Sequence, residues 1–286
     1  MAEQPWDNFA RRTAGERFRM QSAEMGAAAT QAIVEAARIV PGLRVLDLAC
    51  GSGEPAISIA ELLRPSTPKA GGLGTPLRES GSVVGMDMAG AALEVARERA
   101  HERGLANVEF LQGDVHDLPF ADGSFDRVTC RMGVMFFADL AKALGEVHRV
   151  LKPGGRVALL AWGPMEQPYF EATIGTLRRW HPELEVPPGA RAMFKFGEAG
   201  TLGRALRQAG FGGVEEELQP VRWDWRGTPE DMWEYFRGVT VPFRPLLERV
   251  EGDPDASEAV LAALRERFDG ECVRFEAQMV VAVGER

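Results

Sequence analysis

The sequence predicts an α/β protein built on a doubly wound, mostly parallel sheet of seven strands. Three observations carry that reading. Short apolar runs alternate with amphipathic stretches between residues 22 and 162; a glycine loop directly follows the first run; and residues 150–156 (VLKPGGR) read as helix, turn and strand. Strand–helix alternation of this kind gives parallel strands with helices on both faces.

Residues 22–40 read as an amphipathic helix, with Ser22 as cap and Pro41-Gly42 as stop. Residues 44–49 form a buried strand, and 54–63 a helix with Ile57, Ile59, Ala60 and Leu63 on its apolar face. Residues 65–82 hold three prolines and four glycines and read as an inserted loop. Strands follow at 83–87, 108–112, 125–130 and 156–162, separated by helices at 89–103 and 139–151. The glycines of VLKPGGR are expected at the helix C-cap. Past Trp162 the rhythm breaks. A helix at 197–209 and strands at 213–218 and 273–283 complete the sheet. The irregular stretches 163–195 and 219–270 are rich in Trp, Phe and Pro and read as a cap over the strand ends.

The chain has 286 residues, 45% of them hydrophobic, and a formal net charge of -9. That balance disfavours a nucleic acid or an anionic membrane as partner, since phosphate binding needs a basic face. Cys50, Cys130 and Cys272 are scattered, with no CxxC pair, which points to a reducing, cytoplasmic setting and no metal site. The N-terminus lacks the apolar core of a signal peptide. No apolar run approaches the ~18 residues of a membrane span.

Gly51-Ser52-Gly53, with Ala56 three further on, fits the G-x-G-x-x-G/A turn between a strand and a helix. Alone, this pattern suits a dinucleotide equally well. Asp47, inside the preceding strand, argues otherwise. A carboxylate there repels a pyrophosphate and suits a cationic ligand, such as the ammonium and sulfonium of S-adenosylmethionine. It also reads as a plain cap of the glycine turn. Asp87, ending the second strand, is placed to accept both hydroxyls of a ribose, or to cap the next helix.

Residues 45–53 (VLDLACGSG), with Asp87, the Gly113-Asp114-Val115 element, Leu118-Pro119-Phe120 and VLKPGGR in the same order, resemble the class I S-adenosylmethionine-dependent methyltransferases. The likeness is to the ubiquinone/menaquinone-type, small-molecule branch and covers residues 40–163. It implies that Asp47, Ala49, Gly51, Ser52, Gly53, Asp87, Met88, Asp114, Val115, Arg131 and Met132 contact the cofactor. Asp114 would face the adenine amino group and Val115 would offer its backbone N–H. Arg131 and Met132 would lie against the methionine moiety through backbone and apolar contact, and Asp126 would be structural. The implied organisation is one methyltransferase domain, 1–286: a helical lid over 1–40, a cofactor-binding core over 41–163, and a substrate cap with the last strands over 164–286.

Methyl transfer requires alignment of donor and acceptor, exclusion of water, and for some acceptors a base. His181, in the cap, is the preferred base on position, then His116, two residues past Asp114; both read equally as ordinary surface groups. His148 and His101 read as helix-face residues, and a carboxylate such as Glu171 is a further candidate. Trp162, Tyr169, Phe170, Trp180, Met193, Phe194, Phe196, Trp223, Trp225, Trp233, Tyr235 and Phe236 suggest an apolar or aromatic small acceptor. More than half of them also read as a second core. Trp6, Phe9, Phe18, Met20 and Met25 form a segment able to close over the cofactor. The reading is therefore a small-molecule methyltransferase, monomeric or homodimeric. Two alternatives stay open: an NAD(P)-dependent oxidoreductase, resting on the glycine pattern alone, and a non-catalytic S-adenosylmethionine-binding protein. No NPPY-like tetrapeptide follows the fourth strand, which disfavours methylation of exocyclic amines.

Overall fold

The computed structural model describes residues 16–64 and 81–286. Trp6, Phe9, Arg11, Arg12 and most of the Pro/Gly loop lie outside them. A seven-stranded sheet runs in the order β3-β2-β1-β4-β5-β9-β6. Its parallel half comprises β1 (Arg44–Leu48), β2 (Ser82–Asp87), β3 (Val108–Gln112), β4 (Phe125–Arg131) and β5 (Leu151–Trp162). Val45, Leu46, Val83 and Val84, on alternating sides of their strands, are all buried, as expected where helices cover both faces. The other half is antiparallel: β9 (Glu276–Glu285) lies between β5 and β6 (Gly212–Arg222). The order reverses between β1 and β4. That switch point opens a crevice beyond the strands' carboxyl ends, where ligands of such sheets bind.

Helices α1 (Glu16–Met25) and α2 (Ala27–Ala36) replace the single helix expected at 22–40. The break falls at Gly26, where an added Cβ would lie 2.7 Å from the Arg131 guanidinium. Ser22 is consequently inside α1 and caps nothing; its hydroxyl hydrogen-bonds the Tyr235 hydroxyl at 2.9 Å. Helices α3 (Ala56–Leu62) and α4 (Gly90–Glu102) cover β1–β3, burying Ile57, Ile59, Leu93 and Ala96. Helix α5 (Leu140–Val150) starts on Asp139, whose carboxylate accepts from the Lys142 N–H.

The glycines of VLKPGGR do not cap α5. The helix ends on an extended Leu151, and β5 has already begun. Gly154, at φ 76°, lies where the β4–β5 register shifts between Phe125 and Arg127. Its N–H donates to the Arg286 carbonyl, so the glycines shape a bulge that locks the C-terminus onto the sheet.

The cap is continuous with the core on one face of the sheet. Helices α6 (Thr176–Trp180), α7 (Thr201–Gln208), α8 (Pro229–Val239) and α9 (Pro254–Arg265) lie beyond β5, and α6 and α8 pack on α9. A two-stranded ribbon, β7 (Trp225–Arg226) with β8 (Cys272–Val273), was absent from the expected elements and packs against α1. Ten of the twelve large side chains noted above are buried; Trp180 and Phe194 are not. Trp162 stacks on Tyr169 at 6.0 Å and meets Trp223 edge-on at 5.1 Å. Such pairs add about 0.5–1.5 kcal/mol each beyond area burial. Most of these aromatics therefore hold the cap together rather than line an open cleft.

Candidate functional site

Four strand ends meet at the switch point. β1 delivers Asp47, which has no exposed surface. One of its oxygens accepts from the Thr129 hydroxyl at 2.7 Å and the other from the Ala56 N–H at 3.1 Å. The carboxylate thus ties β1 to β4 and to the first turn of α3, holding the glycine loop from below. Burial raises its pKa to about 7, with Thr129, Arg131 and Ala56 acting the other way. It is a positioning group; a ligand in the crevice meets its field, not its oxygens.

The loop needs unusual backbone. Ala49 (φ 52°), Gly51 (φ 53°), Gly53 (φ 106°) and, across the crevice, Met132 (φ 62°) all occupy left-handed conformations. The two non-glycines store about 1–2 kcal/mol of strain each. Close packing explains the pairing: a Cβ on Gly133 would meet the Ala49 Cβ at 2.4 Å. A Cβ on Gly51 would stand in open space, so this glycine serves its φ and leaves the loop face open.

Asp87 is half-buried at the end of β2. Its oxygens accept from the Gly51 N–H at 2.9 Å and the Ala89 N–H at 2.8 Å. Both roles expected of it, cap and ligand acceptor, are compatible, because a carboxylate offers about four acceptor positions. Met88 beside it is exposed and gives an apolar surface. Asp114 follows β3 with its carboxylate largely in solvent, and hydrogen bonds from His116 lower its pKa. Ser52 and the loop are gripped from outside by Arg99. Its guanidinium donates to the Ser52 carbonyl at 2.6 Å and to Glu54 at 3.2 Å. Sequence reasoning passed over Arg99. The available signal was a cation on the buried stripe Ala92–Ala96–Arg99 of α4.

Both histidines weighed as bases are engaged. His116 Nε2 accepts from the Asp139 N–H, so Nδ1 carries the proton and donates to Asp114. The ring straps β3's exit to the start of α5. His181 sits at the end of α6, with Nε2 2.8 Å from Asp253 and Nδ1 3.2 Å from Glu183. Asp253 is also the cap of α9, accepting from Asp255 and Ala256. His181 is a staple between cap helices.

Acids dominate the crevice. Asp47, Glu54, Asp87 and Asp114 lie around the loop; Arg99 and Arg103 face Glu54, and Arg131 ends β4 beside it. The acceptors of Asp87 and Asp114 match a nucleoside carrying hydroxyls and an amine. The residues therefore fit S-adenosylmethionine.

Residues 39–173 match the family model for a methyltransferase domain. The chain is 45% identical to the demethylmenaquinone methyltransferase of Thermus thermophilus, across 42% of this chain and 48% of that protein. It is 34% identical to the demethylmenaquinone methyltransferase of Lactococcus lactis, across 61% of this chain and 68% of that one. The chain thus spans about half the length of the first relative and two thirds of the second. Among solved structures, a SAM-dependent methyltransferase from Aquifex aeolicus shares the fold, with a TM-score of 0.52, 19% identity, and coverage of 73% of this chain and 92% of that one.

Proposed function

The chain belongs to the S-adenosylmethionine-dependent methyltransferase family, and we propose that it methylates a small aromatic or apolar metabolite. The observation that carries this is the ring of carboxylates at the switch point, with Asp87 holding the Gly51 N–H and Asp114 open to solvent. S-adenosylmethionine, when bound, supplies a methyl group made electrophilic by the sulfonium. The protein's part is to hold the nucleoside on Asp87, Asp114 and the Val115 N–H, to orient the tail along the loop, and to exclude water beneath α1 and the cap. The relatives named demethylmenaquinone methyltransferase support a quinol-like aromatic acceptor.

Among the described residues no helix is long and apolar enough to cross a membrane. The net charge of -9 speaks against a nucleic-acid partner, and the free cysteines Cys50, Cys130 and Cys272 support a reducing, cytoplasmic setting. Calorimetry with S-adenosylhomocysteine tests the donor site: saturable binding is expected, and no binding at millimolar concentration overturns the reading. A thermal-shift comparison of S-adenosylhomocysteine with NAD(P) discriminates the oxidoreductase alternative. Turnover of labelled donor with a metabolite extract discriminates the non-catalytic one.

A further inference from the structure

Arg131 ends β4 beside the crevice, and its guanidinium has less company than its setting requires. Nη1 donates to the Gly26 carbonyl at 3.2 Å, and Nε is enclosed with no hydrogen-bond partner. No described carboxylate lies within ion-pair distance of it. The charges that reach it are more remote and committed elsewhere. Glu54 binds Arg99 and Ser58, and Asp47 binds Thr129 and Ala56. The side chain is half-buried, and an N–H enclosed without an acceptor is costly. The break at Gly26 leaves room for it: an added Cβ there would lie 2.7 Å from Nη1.

Its surroundings are aromatic. Gly26 and Ser22 lie one turn apart on the α1 segment, and Ser22 holds the Tyr235 hydroxyl. Phe18 and Trp225 pack on Tyr235 with ring centroids at 5.8 and 4.7 Å. The cation thus stands between the donor crevice and the aromatic cap. The two imidazoles best placed by sequence to remove a proton are both bound to carboxylates.

We propose that Arg131 binds an oxyanion of the methyl acceptor, so that the acceptor enters already ionised and needs no protein base. The proposal rests on the methyl-donor reading of the adjoining crevice. The charges balance: the acceptor anion attacks the methyl carbon, the carbon–sulfur bond breaks with its electron pair going to sulfur, and two neutral products leave. The carboxylate of the donor's own methionine tail is the other oxyanion within the same chemistry.

The test uses the full chain loaded with S-adenosylhomocysteine and the chromogenic probe 4-nitrophenol, with 4-nitroanisole as its non-ionisable counterpart. The wild type is expected to bind the phenol at least ten times more tightly than the anisole, and to lower the apparent pKa of the bound phenol, read from its absorbance. Arg131→Gln should abolish that shift and weaken S-adenosylhomocysteine less than tenfold. Arg131→Lys should restore part of it. Gly26→Ala, which displaces the guanidinium without removing its charge, should reduce the shift in a protein that melts normally. Equal binding of phenol and anisole overturns the proposal. It is also overturned if Arg131→Gln weakens S-adenosylhomocysteine at least tenfold while 5′-methylthioadenosine, which lacks the carboxylate, binds as before; Arg131 would then serve the donor's tail. Failure of the wild type to bind S-adenosylhomocysteine at all would instead strike the donor reading beneath it.

Discussion

The crevice at the end of β1 and the cap beyond β5 are built on opposite principles. In the crevice, small residues and backbone make the shape, and carboxylates hold N–H groups in place: Asp47 on Ala56, Asp87 on Gly51 and Ala89. In the cap, rings make the shape by filling space, and ion pairs such as Arg265 with Glu230 and Arg274 with Asp224 lie outside them; the Trp225 and Trp233 indole N–H groups are buried without partners. A site built from backbone tolerates one ligand geometry. A core built from rings can be remodelled to new acceptors while the donor site stays as it is.

Trp225→Ala is the strongest way to break this contrast. Trp225 is fully buried between Phe18 and Tyr235, and its loss should cost about 3–5 kcal/mol. Thermal unfolding should show a large drop. S-adenosylhomocysteine affinity below the new melting point should stay within about threefold. A parallel collapse of donor binding would mean that the two regions are one cooperative unit.

Asp87→Ala attacks the other side. It removes an expected ligand contact and leaves the partly buried Gly51 N–H without its acceptor, at about 1–3 kcal/mol for the latter alone. Donor affinity measured by calorimetry should fall by a factor of about 100 or more. The cap should be untouched, so near-ultraviolet circular dichroism from its tryptophans should keep the wild-type spectrum. Unaltered donor affinity would remove Asp87 from the site.

How far each region was legible in the sequence follows from the same contrast. The crevice is encoded locally: the strand, Asp47, the glycines and the helix fall within residues 44–62, so spacing alone predicts their meeting. Asp87 was legible because it ends a strand, and a parallel sheet brings strand ends together; Asp114, two residues past β3, came from the resemblance. The cap depends on contacts such as Ser22 with Tyr235, 213 residues apart, and no period in the sequence announces them. The split at Gly26 was hidden for a similar reason. Its cause is Arg131, from a strand more than 100 residues away. VLKPGGR misled because glycine after a helix suggests a cap, while here it serves a strand bulge closed by the distant C-terminus.

Asp47 sharpens the contrast through pH. Its folded pKa of about 7 lies above the unfolded value of 3.8. Below about pH 4 both states hold the proton and its contribution is fully present. As pH rises from about 4 to 7 the unfolded chain ionises first, and that contribution is lost. Asp47→Asn keeps the acceptor for Ala56 and abolishes this slope. Chemical denaturation between pH 5 and 8 should therefore show wild-type stability falling with pH by an amount on the order of a few kcal/mol, beyond any fall in the variant. Identical slopes would show that the crevice is open enough to hydrate the carboxylate.

The smallest expected effect comes from His181. Asp253 first, then Glu183, raise its pKa, and the ring is half-buried. The sign is the same as for Asp47: the contribution is present below the unfolded imidazole pKa and is lost as pH rises through the folded one. Asp253, with a lowered pKa, withdraws its own share only at more acidic pH. His181→Gln should therefore lower the melting temperature slightly near pH 6 and not at pH 9. Turnover should keep the wild-type rate and pH profile, because the imidazole staples α6 to the cap of α9. A loss of turnover of tenfold or more, with the acid limb of the profile removed, would return His181 to the chemistry. It would also mean that the cap contributes reacting groups and not only walls.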